Sequence, residues 1–448
     1  MSGACLLAEH GAQILVLDEQ PAPGGQIYRA VERVATQGRT ALDRLGGEYA
    51  AGVALAARFR ASGCAYWPGS TVWQVTPERS VWVSRNGRSV HLRADVILLA
   101  TGAMERPVPV PGWTLPGVMT VGAVQILLKS AALLPSVPFV LAGSGPLPLL
   151  VAQQCLAAGA RPAAFLDTGS PSNMFAAMRH LPGALGLPAR RMLAKGLALR
   201  AALRRSGVRV FRNVRDMRIE GDHAAEAIRF RSGRAEHRVE AQLVALHDGV
   251  IPSQQITRLV GCAHVWDARQ RCFRPQLDDW GNSSVEGVMV AGDAAGIGGA
   301  ASAALAGRLA AFEALRLLGR IDAAQRDKWA AADRRAMRAE RAVRPLLERM
   351  FPPRPEILCP ADDVVVCRCE EVTAGALRQA VAQGCQGPNQ AKSFLRCGMG
   401  PCQGRLCGPV VTEVIAAARG QTIEETGYFR IRPPLKPVTL GEIALLET

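Results

Sequence analysis

Seven of the twelve cysteines lie in one short part of the C-terminal region, and their spacing indicates a bound metal. Cys367 and Cys369 form a C-x-C pair, and the segment "CGMGPCQGRLC" contributes Cys397, Cys402 and Cys407. Thiolates are the ligands of both iron–sulfur clusters and structural zinc. Zinc sites favour cysteine pairs separated by two to four residues, so the C-x-C pair favours an iron–sulfur cluster over zinc, which stays the alternative.

If Cys367 and Cys369 are two of four ligands, two ligand positions remain. The three candidates for them are Cys397, Cys402 and Cys407. Cys402 belongs to either arrangement, and we predict Cys407 rather than Cys397 as the fourth ligand. The glycines around Cys402 allow backbone N–H groups to turn toward sulfur, which stabilises a reduced cluster. The predicted ligands are therefore Cys367, Cys369, Cys402 and Cys407.

The N-terminal residues predict the second half of a dinucleotide-binding unit. A small-residue helix (3–9) precedes an apolar strand (14–17), which ends at two acidic residues that are candidates for binding ribose, Asp18 and Glu19. A turn follows that contains Gly24, Gly25 and Gln26. The first strand and glycine loop of such a unit should come before the helix, and only Gly3 corresponds to one of the loop glycines. We therefore expect the natural start upstream of Met1; if Met1 is the start, we expect FAD to bind weakly or not at all.

A second acidic turn predicts another wall of the same nucleotide cavity. A strand ends in "VAGD", which contains Gly292 and Asp293, and a long Gly/Ala-rich helix follows. Asp293 is suited to accept a hydrogen bond from the ribitol of FAD, and the start of the helix is suited to face phosphate. An Asp that only caps a buried helix is the simpler alternative, although it does not explain the small residues over three turns. The "ATG" turn adds Thr101 and Gly102 to the predicted site.

A complete nucleotide-binding unit occupies the middle of the chain. Gly143 and Gly145 lie between a strand (138–145) and a helix (147–158), as a pyrophosphate loop requires, and Asp167 lies 22 residues after Gly145, where a ribose-binding acid is expected. Pro148 replaces the third glycine and predicts poorer packing of the helix. The unit therefore predicts a second nucleotide site, and a vestigial unit kept for its packing is the alternative.

The sequence lacks other arrangements that would oxidise or hydrolyse a substrate. A disulfide reductase of this fold carries a redox cysteine pair soon after the Gly24–Gly25 turn, and "GGQIYR" has none. The histidines are isolated, and His247 is better explained as a structural residue than as a group beside a flavin. These observations argue against a chemistry carried by side chains alone.

Length and motif order predict an α/β protein of several domains. A chain of 448 residues is too long for one ordinary core. We predict a two-dinucleotide-binding flavoprotein fold with a small α-rich cluster domain. The FAD-binding domain is discontinuous and N-terminally incomplete (1–105 and 250–350), an inserted domain carries the second nucleotide unit (106–249), a proline-rich segment (351–360) links the parts, and the last domain binds the cluster (361–448).

Charge and composition limit the partners and the compartment. Lys and Arg exceed Asp and Glu by 53 to 38, giving a net charge of +15, and the excess concentrates in two arginine-rich stretches (190–218 and 334–349). Because no nucleic-acid motif accompanies them, we interpret these stretches as solvated helix faces and predict no nucleic-acid partner. No signal peptide or membrane span is evident, which predicts the cytoplasm, with a peripheral position on the inner face of the membrane left open.

Six segments in the same order resemble one family over nearly the whole chain. These are "LDEQPAPGGQIYR", "GSGPLPLL", "VAGDAAGIGGA", "CRCEEVT", "GCQGPNQAKSFLRCGMGPCQGRLCG" and "YFRIRPPLKPVTLGEIA". The chain resembles the larger flavoprotein subunit of the opine oxidase, hydrogen cyanide synthase and D-hydroxyproline dehydrogenase group, and its C-terminal part is similar to the bacterioferritin-associated-ferredoxin-like [2Fe-2S] domain. The resemblance implies glutathione-reductase-like folding, FAD and one [2Fe-2S] cluster.

The resemblance also implies a division of labour between subunits. In this group a smaller FAD-containing subunit oxidises an amine or imino acid, and the larger one passes electrons to an acceptor, often with a small ferredoxin-like third subunit. The function implied here is electron transfer within such a dehydrogenase. Two alternatives remain: a stand-alone NAD(P)H-dependent flavoprotein reductase that uses residues 143–167, and a non-catalytic subunit that has lost FAD.

Overall fold

A computed structural model describes residues 1–446. The first part of the chain forms small parallel pairs and one antiparallel sheet. Its elements are α1 (Ser2–Glu9), β1 (Leu15–Leu17), α2 (Val31–Thr36), α3 (Arg39–Leu45), α4 (Gly47–Ala61), β2 (Ala65–Trp67), β3 (Thr71–Val75), β4 (Ser80–Arg85), β5 (Arg88–Arg93), β6 (Ile97–Leu99) and β7 (Ala103–Glu105). Strand β1 pairs in parallel with β2, and β3, β4 and β5 form an antiparallel sheet.

The middle part forms a five-stranded parallel sheet with helices around it. Its elements are β8 (Val118–Thr120), α5 (Val121–Ala131), β9 (Phe139–Gly143), α6 (Pro146–Ala157), β10 (Ala164–Asp167), α7 (Pro171–Ala177), α8 (Leu187–Arg205), β11 (Arg209–Arg212), β12 (Val214–Glu220), β13 (Ala227–Ser232), β14 (Ala235–Glu240) and β15 (Leu243–His247). The strand order is β11-β10-β9-β15-β8. Strand β9 is buried along its whole length, because helices α5, α6 and α8 pack on one face of the sheet and the antiparallel sheet β12-β13-β14 packs on the other.

The chain then returns to its first part. The elements are β16 (Val250–Pro252), α9 (Gln255–Leu259), β17 (His264–Asp267), β18 (Cys272–Pro275), β19 (Val288–Val290), α10 (Ala300–Leu317), α11 (Ala323–Arg341) and α12 (Arg344–Met350). Strand β16 pairs with β7, and β19 pairs in parallel with β6. The β1–β2 pair and the β6–β19 pair are separate sheets within residues 1–446.

The C-terminal part is mostly helical and shares its core with the first part. Its elements are α13 (Pro355–Leu358), β20 (Val365–Cys367), β21 (Val372–Thr373), α14 (Ala374–Ala382), α15 (Pro388–Leu395), α16 (Gly408–Arg419), α17 (Ile423–Thr426) and α18 (Leu440–Ala444). Helix α14 begins at the predicted cap, Thr373, whose hydroxyl accepts the Ala376 N–H. One apolar cluster joins Val83 and Leu99 of the first part to Val366, Val410 and Phe429. The two parts are therefore packed together through apolar side chains.

The predicted boundaries stay a proposal, because chain geometry alone does not define domains. The segment 351–360 is closely packed: Ile357 is fully buried, and Arg354 is nearly so. The last two residues of the proposed 361–448 domain lie outside the described part of the chain.

No helix within residues 1–446 is both long enough and apolar enough to cross a membrane.

Candidate functional site

Two of the predicted flavin turns leave the same edge of one sheet. In the β6–β19 pair, Leu99 lies opposite Val290. Thr101 and Gly102 follow the first strand, and Gly292 and Asp293 follow the second, so the parallel pairing brings the two turns together. The Gly102 carbonyl accepts the Ser253 N–H at 2.9 Å, which ties the first turn to the chain after β16.

The Asp293 carboxylate lies at the start of the long helix α10. One of its oxygens, Oδ1, accepts the backbone N–H groups of Gly298 and Gly299, each at 2.9 Å. Its other oxygen accepts no hydrogen bond from the described residues. The Ser302 hydroxyl, in the first turn of the same helix, is buried and has no hydrogen-bond partner in the described part of the chain. The turn therefore presents a free acceptor and an unsatisfied hydroxyl at a helix N-terminus, which suits a polar ligand.

Gly3 and Gly24 are positions where a side chain would not fit. A Cβ on Gly3 would lie 2.5 Å from the Gly307 carbonyl oxygen, because α1 crosses α10 there. A Cβ on Gly24 would lie 2.2 Å from the Tyr28 carbonyl oxygen inside the predicted flavin turn. Both glycines are therefore required for close backbone approach.

The turn formed by residues 24–27 is held by a lysine that the sequence analysis missed. Lys129 is buried, and its ammonium donates to the carbonyl oxygens of Gln26 and Ile27, at 3.3 and 2.9 Å, and to the Gln125 side chain. Burial lowers the pKa of Lys129 to about 8. Its position on α5 gave no signal in the sequence, because it looks like an ordinary lysine in the last turn of a helix.

The two acidic residues after β1 have different surroundings. Asp18 accepts the Gln20 N–H at 2.9 Å and the Tyr66 hydroxyl at 3.3 Å, and it is partly exposed. Glu19 is exposed and pairs with Lys436 from the C-terminal part. Asp18 is the better candidate for a ribose acid, because Glu19 already has a charged partner.

The second nucleotide unit has the predicted strand–loop–helix order. Helix α6 begins at Pro146, so Pro148 lies in its first turn, where a backbone N–H has no partner within the helix. The predicted packing defect therefore does not arise: Pro148 is buried and the helix is regular. Asp167 accepts the Gly169 N–H at 2.9 Å and pairs with Arg200 at 3.5 Å.

The chain itself covers the loop of this second unit. The Phe351 ring lies 3.8 Å from the position that a Cβ on Gly145 would take. Three residues later, Arg354 binds Asp248 through its backbone N–H at 2.9 Å and its side chain at 3.0 Å. Asp248 follows β15, in which His247 lies opposite Gly143. The carboxyl edge of the sheet, where nucleotides bind in such folds, is therefore occupied by residues 351–354.

The cysteines of the C-terminal part converge on one point. The sulfur atoms of Cys367, Cys397 and Cys407 lie within 4.8 Å of one another. Cys402 interacts with Cys407 and with Cys369, so all five thiols form one continuous group. The structure thus brings together the four predicted ligands and adds Cys397, which the sequence analysis placed second to Cys407.

The electrostatic surroundings favour thiolates at two of these positions. Hydrogen bonds from the Cys397 and Cys407 thiols lower the pKa of Cys367, and backbone N–H groups of Gly398 and Glu370 add to the effect. A hydrogen bond from Cys407, with backbone N–H groups of Leu406 and Gly404, lowers the pKa of Cys402 to about 5. Thiolates in such positions are suited to bind a metal.

The glycines of "CGMGPCQGRLCG" make room for two aromatic rings. A Cβ on Gly398 or on Gly404 would lie 2.6 Å from the Phe429 ring, so this ring is held between the two cysteine-bearing turns. A Cβ on Gly408 would lie 2.1 Å from the Tyr428 hydroxyl. The segment "YFR" near the C-terminus is therefore a structural support of the cysteine group.

Direct hydrogen bonds connect the cysteine group to the flavin side. The Gln255 side-chain amide donates to the Gln403 carbonyl at 3.0 Å, next to Cys402 in the chain. Arg271 binds both carboxylate oxygens of the buried Glu413, at 2.9 and 2.7 Å. Since Gln255 follows Ser253, which bonds Gly102, a short run of contacts joins the predicted flavin turn to the cysteines.

Comparison with known proteins decides the family. Residues 1–310 match the pyridine nucleotide-disulphide oxidoreductase family, and residues 363–445 match the sarcosine oxidase A3 domain. The A subunit of opine oxidase from Rhizobium meliloti (strain 1021) is 48% identical over 98% of this chain and 94% of the relative. The chain belongs to the family of opine oxidase A subunits.

Other relatives of this opine oxidase family member extend the assignment. Hydrogen cyanide synthase subunit HcnB of Pseudomonas aeruginosa is 30% identical over 100% of this chain and 97% of the relative. The crystal structure of L-proline dehydrogenase from P. horikoshii superimposes with a TM-score of 0.71 at 17% identity, covering 99% of this chain and 76% of that one. The glutathione-reductase-like fold predicted from the sequence is confirmed, and the protein is an FAD-dependent oxidoreductase.

The residues of this family member fit FAD and an iron–sulfur cluster to different degrees. At the α10 turn the free Asp293 oxygen and the unpartnered Ser302 hydroxyl fit a polar ligand such as the ribitol of FAD. In the C-terminal part a group of five thiols, of which Cys367 and Cys402 have lowered pKa values, is compatible with an iron–sulfur centre. Both groups of residues lie in parts of the chain that are joined by direct contacts.

Proposed function

We propose that this chain is the electron-transferring subunit of a cytoplasmic, multi-subunit dehydrogenase that oxidises an amine or imino acid of the opine, hydroxyproline or glycine type. It would carry FAD and one [2Fe-2S] cluster and pass electrons from a partner subunit to an acceptor. The observation that carries the proposal is the convergence of five thiols on a C-terminal part that packs directly on the flavin side.

The proposal assigns residues to two sites. FAD would be held by the turns that contain Gly3, Asp18, Glu19, Gly24, Gly25, Gln26, Thr101, Gly102, Gly292 and Asp293. The cluster would be held by Cys367, Cys369, Cys402 and Cys407. A bound flavin exchanges electrons singly or in pairs and a cluster exchanges them singly, so the two together connect a two-electron donor to a one-electron acceptor.

The proposed partner is a smaller FAD-dependent subunit that oxidises the substrate, and a small ferredoxin-like third subunit is part of the proposal. The relatives support this arrangement because their names describe them as subunits of opine oxidase, hydrogen cyanide synthase and sarcosine oxidase. The sequence also lacks an acid–base or nucleophilic constellation of its own. Substrate oxidation by another chain accounts for that observation.

One observation bears on each of the two alternatives. Closure of the Gly143–Gly145 loop by Phe351 disfavours an NAD(P)H-dependent reductase, for which this loop and Asp167 would bind the nicotinamide nucleotide. The separation of the β1–β2 and β6–β19 pairs favours a non-catalytic subunit that has lost FAD. The free Asp293 oxygen and the buried Ser302 hydroxyl support retention of a ligand, and we therefore keep FAD in the proposal.

The visible absorption spectrum of the purified protein tests the proposal. We expect flavin and iron–sulfur bands that are bleached by an opine or imino acid only when the partner subunit is co-expressed. Bleaching by NADH alone would support the reductase, and cluster bands without flavin would support the subunit that lacks FAD. Bound zinc without iron would overturn the cluster assignment.

A further inference from the structure

A partly buried cation, Arg258, lies between the flavin side and the cysteine group, and no carboxylate within residues 1–446 forms an ion pair with it. Arg258, on α9, donates from Nε to the Gln254 side-chain oxygen at 2.7 Å. One of its terminal nitrogens, Nη2, is buried and has no hydrogen-bond partner among residues 1–446. The ion pairs found within residues 1–446 do not include Arg258. Leaving a buried charge unpaired is costly, so its retention requires an explanation.

Aromatic rings hold this guanidinium in place. Its central carbon lies 4.2 Å from the centre of the Tyr428 ring and 4.9 Å from the centre of the Phe273 ring. Cation–π contacts of this kind stabilise a desolvated cation without neutralising it. Burial lowers the pKa of Arg258 to about 10, so the side chain keeps its positive charge at neutral pH.

His264, which lies near Arg258, does not change the charge at this place. The imidazole of His264 contacts the Thr257 hydroxyl and the Cys262 carbonyl. Burial, with the charge of Arg258, lowers the pKa of His264 to about 4, so it stays neutral near pH 7. His264 therefore adds no positive charge to that of Arg258. On the cysteine side, Arg405 donates from Nε to the Cys402 carbonyl at 3.2 Å, and the Lys392 ammonium lies 5.2 Å from the centre of the Phe429 ring.

Tyr428 places the cation next to the cysteine group. Its hydroxyl lies over Gly408, which directly follows Cys407. Burial raises the pKa of Tyr428, Arg258 opposes that increase, and charge on Cys407 and Cys402 adds to it. The Tyr428 ring is thus within electrostatic reach of both the guanidinium and the sulfur atoms.

We propose that Arg258 is the compensating charge for a thiolate-bound cluster and raises its reduction potential. The inference rests on the proposed function, since it needs a redox cluster at these cysteines. Four thiolates give such a cluster a net negative charge, and reduction adds one more negative charge. A cation fixed in a low-dielectric interior stabilises the more negative state, which favours acceptance of an electron from the flavin side.

The test is a redox titration of the intact protein, poised with dithionite and mediators and followed by electron paramagnetic resonance of the reduced cluster. We expect Arg258→Gln to lower the equilibrium constant for cluster reduction tenfold or more, which is about 59 mV for one electron. Arg258→Lys keeps the charge and should restore most of the potential. Iron content and circular dichroism show that each variant is folded and loaded.

Arg396→Gln is the matched control, because it removes a positive charge next to Cys397 in the chain. The Arg396 side chain is 68% exposed and pairs with Glu370, so solvent screens it and we expect a change of less than about threefold. An Arg258→Gln potential equal to that of the control or of the unaltered protein overturns the inference. A protein without iron overturns the cluster assignment and this inference together, whereas iron with an unchanged potential overturns only this inference.

Discussion

Arg354 binds the carboxylate of Asp248 twice, through its backbone N–H at 2.9 Å and its guanidinium at 3.0 Å. The Asp248 side chain is 1% exposed. This buried pair fixes the segment that leads to the cysteine-bearing part onto the carboxyl edge of the parallel sheet. It also places Phe351 against the loop of the second nucleotide unit.

Asp248→Asn should destabilise the protein strongly. The substitution leaves the buried Arg354 guanidinium with the half-exposed Glu356, at 3.2 Å, as its remaining carboxylate partner, which costs about 1–3 kcal/mol of unfolding free energy. Urea denaturation followed by circular dichroism measures the change. Glu48→Gln is the control, because the Lys195–Glu48 pair is exposed and its loss should cost less than about 1 kcal/mol. Equal losses in the two variants would contradict the structural role given to Asp248.

The proposed ligands predict an order among cysteine variants. Cys402→Ser should abolish most iron binding, because the Cys402 thiol connects Cys369 to the other sulfur atoms. Cys385→Ser is the control: Cys385 is also buried in this part of the chain, but its thiol contacts the Gly387 carbonyl at 3.5 Å. Iron per chain, measured by mass spectrometry, is the readout. If Cys402→Ser retains iron and Cys397→Ser loses it, Cys397 is a ligand in place of Cys402.

Gly404→Ala should reduce iron content through Phe429. The new methyl group would lie 2.6 Å from the ring and push it away from the cysteine turns. Gly420→Ala is matched to it, since both glycines have positive φ, +77° and +63°, while Gly420 has open space around it. Both variants carry a backbone cost of about 1–2 kcal/mol, and only Gly404→Ala should lose iron. Equal iron content in the two variants would show that Phe429 does not support the cluster turns.

Asp293→Ala should lower the flavin content of the purified protein. The variant loses the hydrogen bonds that order the Gly298–Gly299 turn before α10, worth about 1 kcal/mol, and the free oxygen proposed to bind ribitol. Asp322→Ala also removes a carboxylate that accepts a backbone N–H near a helix start: Asp322 is the N-cap of α11 and accepts the Gln325 N–H at 2.8 Å. Flavin per chain is read from the visible spectrum after denaturation. If the two variants carry the same flavin content, Asp293 only orders the turn before α10.

Glu313 should make the protein sensitive to acid. Burial opposes ionisation, but hydrogen bonds from Arg316, Arg326 and Asn282 prevail and lower the pKa of Glu313 from 4.5 to about 2. Because the folded-state pKa lies below that of the unfolded chain, the stabilisation is present above pH 4.5 and is lost as the pH falls toward 2.

Glu313→Gln should therefore cost on the order of 2 kcal/mol at pH 7 and progressively less below about pH 4.5. Thermal unfolding at several pH values measures the difference between variant and parent. Glu424→Gln, at an exposed position on α17, should show no such trend. A difference that does not depend on pH would mean that Glu313 acts through packing alone.

The elements that the sequence predicted best are those defined by local chemistry. Gly143 and Gly145 lie between a buried strand and a helix because that turn is encoded by a few adjacent residues. The same holds for the Gly292–Asp293 turn and for the Thr373 cap. The four predicted cysteine thiols lie together because a small domain offers few other positions for them.

Long-range contacts could not be predicted in the same way. Cys397 joined the group because Phe429 packs between two turns, a contact between positions more than twenty residues apart. Closure of the second nucleotide loop depends on Phe351, and support of the flavin turn depends on Lys129. Neither residue belongs to a motif, since only the folded chain brings it to its partner.

The buried connection between the parallel sheet and the cysteine-bearing part has a mechanical consequence. Many redox proteins carry their cofactor on a tethered domain that swings between donor and acceptor. Here Arg354 forms an ion pair with Asp248, Trp113 donates to the Val365 carbonyl at 2.6 Å, and Arg271 forms an ion pair with Glu413. A redox centre in this position would be a stationary relay, so distance to its donor would be set by the fold and its acceptor would have to come to it.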